Sequence, residues 1–438
     1  MRVLSRPRAI LWWDRATWII PVLGTIAGVL LAVVVSVVDE AEWLLDSGRA
    51  TISPAAATTV LSAVGGGMVT FTGFVFSFVL LLVQYGSTAY SPRTVTYFLR
   101  ARTVQWILGL YLATITFSFV SVVETGSLGR QDFAPATAVF VSLLMLVASL
   151  LGFVVLLHSI GRRIRVDAVL AAIGRSARRQ LRGRGEARPG VRTAAATGAT
   201  PGPAAADGTV ATAGVADPGV IAEYLGRPGQ IVAIDARQLV RLAREHGCTI
   251  QVVPRIGDAV VPGTPVARVL GRAPALDRRI SRSLVVDVER SLLHDPLYAL
   301  RLLVDVAVRA LSPAVNDPTT AVRALDEIES VLRTAVRSEH LGALTLPAGP
   351  GSVVLSRPSW DEVVDLALIE VLECGRGQVQ VDRRLLVLLD DLIADVGPSL
   401  RPVLVSYRDQ VQAADRLVTG RARAIARVGD RQGLGGSG

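Results

Sequence analysis

Residues 136–160 read ATAVFVSLLMLVASLLGFVVLLHSI and run straight into Gly161-Arg162-Arg163. An apolar stretch of this length crosses the hydrocarbon core of a bilayer as one helix, for which about 20 residues suffice. Three further stretches precede it, at 16–38, 58–83 and 103–123, and no charged side chain interrupts any of the four. The sequence therefore predicts a four-helix transmembrane domain over residues 1–160. The first span is too long for a cleaved signal peptide, and no small-residue cleavage signal is evident after it.

Orientation follows from the arginines, because basic flanks are retained in the cytoplasm whereas acidic ones weigh little. Arg2, Arg6, Arg8 and Arg15 precede the first span, Arg93, Arg100 and Arg102 separate the second from the third, and Arg162, Arg163 and Arg165 follow the fourth. The intervening segments carry Asp39, Glu40, Glu42 and Asp46 against Arg49, and Glu124 and Asp132 against Arg130. Both termini are expected to be cytoplasmic. Trp12, Trp13, Trp18, Trp43 and Trp106 lie at or near span ends, where an amphipathic ring prefers the headgroup level.

The net charge of +9 gathers largely beside the spans, which points to anionic lipid headgroups rather than nucleic acid, with Arg162, Arg163 and Arg165 as headgroup contacts. Every basic residue other than histidine is arginine, and Asn316 is the sole asparagine. Without lysine there is no Walker A phosphate loop, no Schiff-base cofactor and no lipoyl or biotinyl attachment. Cys248 and Cys374 form no CxxC pair, and His158, His246, His294 and His340 are too scattered for a ligand pair. No metal and no cofactor are expected.

Beyond the spans, 161–182 alternates apolar residues with arginines. It reads either as a basic amphipathic helix along the membrane surface or as an ordinary stop-transfer flank. Residues 183–219, rich in Ala, Gly, Thr and Pro, read as a flexible linker. Residues 220–275 alternate short strand patterns with Gly-Asp and Pro-Gly turns around a helix at 236–246, which makes a small β-rich module. The turn-strand-turn at 257–266 resembles the biotinyl and lipoyl carrier half-barrel in shape, without its lysine. Residues 276–430 carry apolar positions at helical spacing and read as a helical cytoplasmic domain, apart from a strand at 283–288. The fold class is thus membrane α-helical, four transmembrane helices with both termini cytoplasmic, followed by a soluble α+β cytoplasmic domain with a small β-module and a helical part.

Two features carry the functional reading. In the second span Gly66, Thr70, Gly73, Ser77 and Gln84 recur at near-heptad spacing, as a stripe that either packs helices closely or lines a pore. In the C-terminal part, Asp295-Pro296 and Asp317-Pro318 are helix starts, the carboxylate capping free amides and proline fitting the first turn. Asp305, Arg309, Ser312, Asn316, Asp317, Thr319 and Thr320 crowd around the second start, where free helix amides suit a small anionic ligand.

The run LRLLVDVAVRALSPAVNDPTTA at 300–321 resembles the signature of the bacterial family known as domain of unknown function 2254, described as predicted membrane proteins. QYGSTAYSPR at 84–93 is similar to that family's other motif. The resemblance, from Trp18 to about Val396, implies a bacterial inner-membrane protein and brings no activity or catalytic residues. The residues themselves favour a homo-oligomeric channel or transport protein whose cytoplasmic domain senses a ligand or fixes the assembly. The alternative is a membrane-anchored scaffold or sensor; no catalytic constellation speaks for an enzyme.

Overall fold

The computed structural model describes residues 18–45, 53–89, 102–127, 136–163, 165–182, 219–271, 275–288, 290, 295–338 and 341–418. They belong to two compact units, residues 9–168 and 169–438. The first contains α1 (Ile19–Leu45), α2 (Pro54–Ala89), α3 (Arg102–Ser127) and α4 (Ala136–Arg163). Each holds a segment long and apolar enough to cross a membrane: Ile19–Val38, Ala55–Leu82, Thr103–Thr125 and Ala136–Ser159. These are the four spans expected from the sequence.

Helix α3 is the hub, packing against α1, α2 and α4. Between apolar helices in lipid there is no hydrophobic drive, so association rests on close packing and interhelical hydrogen bonds. Gly24 and Gly28 of α1 supply the close packing. A Cβ at Gly24 would lie 2.2 Å from the carbonyl oxygen of Gly109, and one at Gly28 would lie 2.4 Å from that of Ala113. The hydroxyl of Thr116 also donates to the Thr25 carbonyl across the crossing, at 3.3 Å. On the α2 side, Val64, Met68 and Val75 bury against Ile107 and Tyr111 of α3 and Leu156 of α4. Phe71 completes that cluster, its ring 5.6 Å from Tyr111 and 5.3 Å from Phe153.

The second unit takes in α5 (Val166–Leu181) from Val169 onward. Val169, Leu170, Ile173, Ala177 and Leu181 are buried, and Arg178 pairs with Glu327 at 2.6 Å. The apolar face that a membrane-surface helix would insert into lipid is therefore covered by protein, so α5 is amphipathic as read but buries that face within its own unit. Arg165 is exposed, whereas the side chains of Arg162 and Arg163, the linker at 183–218 and most of the 84–93 motif lie outside the described residues.

Two sheets and a helical layer follow. β1 (Val220–Glu223), β5 (Pro265–Leu270), β3 (Thr249–Val252), β8 (Gly351–Leu355) and β7 (Leu344–Ala348) form one sheet in that order. β4 (Ala259–Val260), β2 (Gly229–Ile234) and β6 (Leu284–Asp287) form the other. α6 (Ala236–His246) and α7 (Asp277–Ser283) pack with them around Ile231, Leu239, Leu242, Ile250 and Ile280. Because β3 pairs in parallel with β8, and β2 pairs with β6, the sheets cross the boundary expected at 275/276. The β-module is not self-contained. In the helical layer α8 (Pro296–Ala310) contacts α9 (Pro318–Val336) and α10 (Trp360–Gly375), and α11 (Val379–Asp395) contacts α9 and α12 (Arg401–Val418).

Replacing Gly24 with Leu should separate α1 from α3. The expected loss is roughly 1–3 kcal/mol or more of bundle stability, since the neighbouring atoms are backbone and cannot move aside cheaply. Thermal melting of the purified chain in detergent checks this; an unchanged midpoint would contradict the crossing.

Candidate functional site

Helix geometry divides α2 into two faces. Ala57, Leu61, Val64, Met68 and Val75 point into the bundle and are buried. The stripe points the other way: Gly66, Thr70, Gly73, Ser77 and Gln84 are all exposed. A Cβ at Gly66, Gly67 or Gly73 would meet nothing within 4 Å. The large exposed side chains of Val69, Phe74, Phe76 and Leu80 share the outward side, so the glycines form an open groove beside apolar ridges. Thr70 donates to the Gly66 carbonyl at 3.3 Å and Ser77 to that of Gly73 at 3.0 Å. Each hydroxyl is thus satisfied by its own helix while its oxygen stays on the surface. Among the described residues, no helix packs on the stripe's glycines.

The close packing expected of α2 is found instead at Gly24 and Gly28 of α1. That pair was legible as a GxxxG motif within an apolar span, the sequence signal of close helix approach. A second feature is a polar seam between α3 and α4. Thr114 and Ser149 share a hydrogen bond at 3.1 Å, Ser118 and Ser142 another at 3.0 Å, and all four are fully buried. Tyr111 and Ser121 extend the seam along α3 at i, i+3 and i+4 steps, their buried hydroxyls without a hydrogen-bond partner. The i, i+4 and i, i+7 spacing of these hydroxyl residues was the available signal. Its chemistry is interhelical hydrogen bonding, the second source of association in lipid.

At the other candidate site the structure shows how the polar groups are used. Asp295 caps α8 by accepting from the Tyr298 amide at 3.0 Å, and Asp317 caps α9 by accepting from the Thr320 amide at 3.1 Å and the Thr320 hydroxyl at 2.6 Å. Burial pushes the Asp295 carboxyl up from its ordinary range, against the pull of Arg290 at 2.6 Å. Ser312 donates to the Arg309 carbonyl at 2.7 Å, and Asp305 pairs with Arg301 at 2.9 Å, which also holds Glu370 of α10. Asn316 adopts a left-handed backbone at φ 48°, the one non-glycine residue with positive φ among the described residues. Its side-chain oxygen accepts from Gln378 at 3.3 Å, tying the turn to the start of α11. Thr319 is exposed on the first turn of α9. The structure brings Ser312, Asn316, Asp317 and Thr320 together as a self-satisfied connection between α8 and α9.

The family model described as predicted membrane protein, domain of unknown function 2254, matches residues 14–391. The chain belongs to this family. DUF2254 thus covers the four apolar helices, both sheets and the helical layer through most of α11. The chain is 28% identical to the uncharacterized protein Rv1290c of Mycobacterium tuberculosis, over 98% of its own length and 84% of the relative's. It is equally similar, at 28% identity and the same coverage, to the uncharacterized protein Mb1321c of Mycobacterium bovis. No solved structure matches the chain. Among the described residues, no group of three or more His, Cys, Asp or Glu side chains is placed to hold a metal ion.

The Asn316 conformation makes a clear test of the DUF2254 turn. A β-branched Asn316→Val substitution should lose roughly 1–2 kcal/mol, the cost of a left-handed L-residue. Asn316→Gly should lose only a few tenths, because glycine adopts that backbone freely. Chemical denaturation of the two variants, followed side by side, reads the difference; equal losses would mean that the side-chain bond to Gln378 dominates instead.

Proposed function

We propose that the protein is an oligomeric membrane channel or transport protein, with α2 of each copy facing a shared central axis. The observation that carries this is the outward stripe. A groove of Gly66, Gly67 and Gly73, bearing the Thr70 and Ser77 hydroxyls, is left unused by its own bundle although small residues in lipid are enriched where backbones approach closely. A second copy fills such a groove, and in a ring the hydroxyl oxygens then line a narrow polar path. The bundle leaves α2 free for this because α3 already takes α1 and α4 on its other sides.

The arginine distribution supports placing both termini, and with them the C-terminal unit, in the cytoplasm of a bacterial cell. Arg93, Arg100 and Arg102 would then lie at the inner mouth of the path and favour anions over cations. The C-terminal unit would fix the assembly or sense a ligand.

A scaffold or sensor is the second reading, and it has its own observation. The stripe hydroxyls bond to their own helix carbonyls, which suits a dry contact between copies as well as a wet pore. Ion flux from liposomes that hold the assembled protein, measured under varied voltage and pH, separates the two. The pore reading expects flux that falls at least ten-fold in a Thr70→Leu/Ser77→Leu variant of unchanged oligomeric mass. Absence of flux from correctly assembled wild type would overturn it and leave the scaffold.

A further inference from the structure

In the C-terminal unit a concavity of about 850 Å³ lies between the loop after β1, helix α7 and strand β6, which is the edge of its sheet. Arg227 reaches it from the loop, and Arg278 and Arg282 reach it from α7, four residues apart. Several arginines elsewhere in this unit are matched with carboxylates: Arg255 with Glu362, Arg279 with Glu245, Arg301 with Asp305, Arg384 with Asp326. Arg227, Arg278 and Arg282 have no such partner among the described residues. The lining holds one carboxylate, Asp287, whose Oδ1 accepts from the Val288 amide at 2.7 Å. Three arginines thus line one hollow, and like charges four apart on a helix are mildly unfavourable until an anion joins them.

The hollow is also built rather than incidental. The Tyr224 hydroxyl donates to the Arg227 carbonyl at 2.9 Å, and the Leu225 amide donates to Ser281 Oγ at 3.1 Å. The Glu223 amide donates to Asp277 at 2.9 Å, so the loop is tied to α7 at successive points. A Cβ at Gly226 would lie 2.3 Å from the Tyr224 hydroxyl, so the loop closes over that ring only with glycine. Arg227 is therefore displayed from a fixed backbone. Exposed Leu225 and Val288 also line the hollow and add apolar surface to it.

We infer that this hollow binds the phosphate group of an organic phosphate, with Arg227, Arg278 and Arg282 as its ligands. A planar guanidinium offers paired donors that match phosphate oxygens, and several of them around one anion reinforce each other. The volume suits a small molecule, and the apolar surface suits the body that carries the phosphate. Two sources share this chemistry: the headgroup region of an anionic phospholipid, and a water-soluble phosphate ester such as a nucleotide. The site is separate from the Asn316 turn, and its occupancy does not depend on whether α2 lines a pore.

The test uses the full chain in nanodiscs of phosphatidylcholine. In one arm a fluorescent ATP analogue is titrated and then competed with inorganic phosphate; in the other, phosphatidylglycerol retained by the detergent-purified chain is counted by native mass spectrometry. The Arg278→Gln/Arg282→Gln variant is compared with Arg237→Gln/Arg241→Gln, which removes the same charge from exposed arginines of α6. Nucleotide binding that weakens at least ten-fold in the first variant and is unchanged in the second identifies a soluble ligand. Retained lipid that is lost in the first variant alone identifies a headgroup. Binding in neither arm, or an equal loss in both variants, overturns the inference; matching melting temperatures show that both variants are folded.

Discussion

The backbone-close crossing of α1 on α3 is the constraint on which the membrane unit depends. Gly24 and Gly28 meet Gly109 and Ala113 with no room for a side-chain carbon, and in lipid such contact replaces the hydrophobic drive that holds helices together in water. The Thr114–Ser149 and Ser118–Ser142 bonds hold α4 to a further face of α3, and the Met68–Tyr111–Leu156 cluster holds α2. With α3 encircled, the outer faces of α1, α2 and α4 stay exposed, and small and hydroxyl residues mark that of α2. Its glycines and hydroxyls are unused by the protomer, and the functional proposal grows from that remainder.

The C-terminal unit obeys different physics. Its sheets and helices close around aliphatic side chains, and the helical layer is cross-linked by charge: Arg384 reaches Asp326 and Glu329, and Arg333 reaches Glu329 and Asp395. In a chain whose basic residues are all arginine, most of the guanidinium groups quoted from this unit face a carboxylate. The trio around the β6 edge stands out because its three arginines line one hollow.

The four spans were legible because an uncharged run of about 20 apolar residues has few other readings. Helix α6 was legible from its apolar face, and the structure adds its Asp235 cap and the left-handed Gly247 at its end. The two Asp-Pro starts were legible as caps, and both carboxylates do cap. The hairpin of β7 and β8 was hidden: Pro347 breaks the strand pattern and is tolerated only because β7 is an edge, and Gly349 at φ 69° opens a two-residue turn. Its parallel partner β3 lies some hundred residues earlier, a distance over which local pattern carries no signal. The stripe on α2 was legible as a pattern, but its direction was not, since spacing gives a face and only packing tells which way that face turns. The arginine hollow was out of reach for the same reason: its residues come from a loop and a short helix fifty residues apart.

The central claim is that the α2 stripe meets its counterpart in another copy. Site-directed crosslinking in native membranes tests it most directly, in a Cys374→Ser background that removes the exposed native thiol and leaves the buried Cys248. A Gly73→Cys substitution should then give covalent dimers on oxidation, while Leu151→Cys on the exposed side of α4 should not. A Gly73→Cys protein that stays monomeric under conditions that oxidise the thiol would contradict the account.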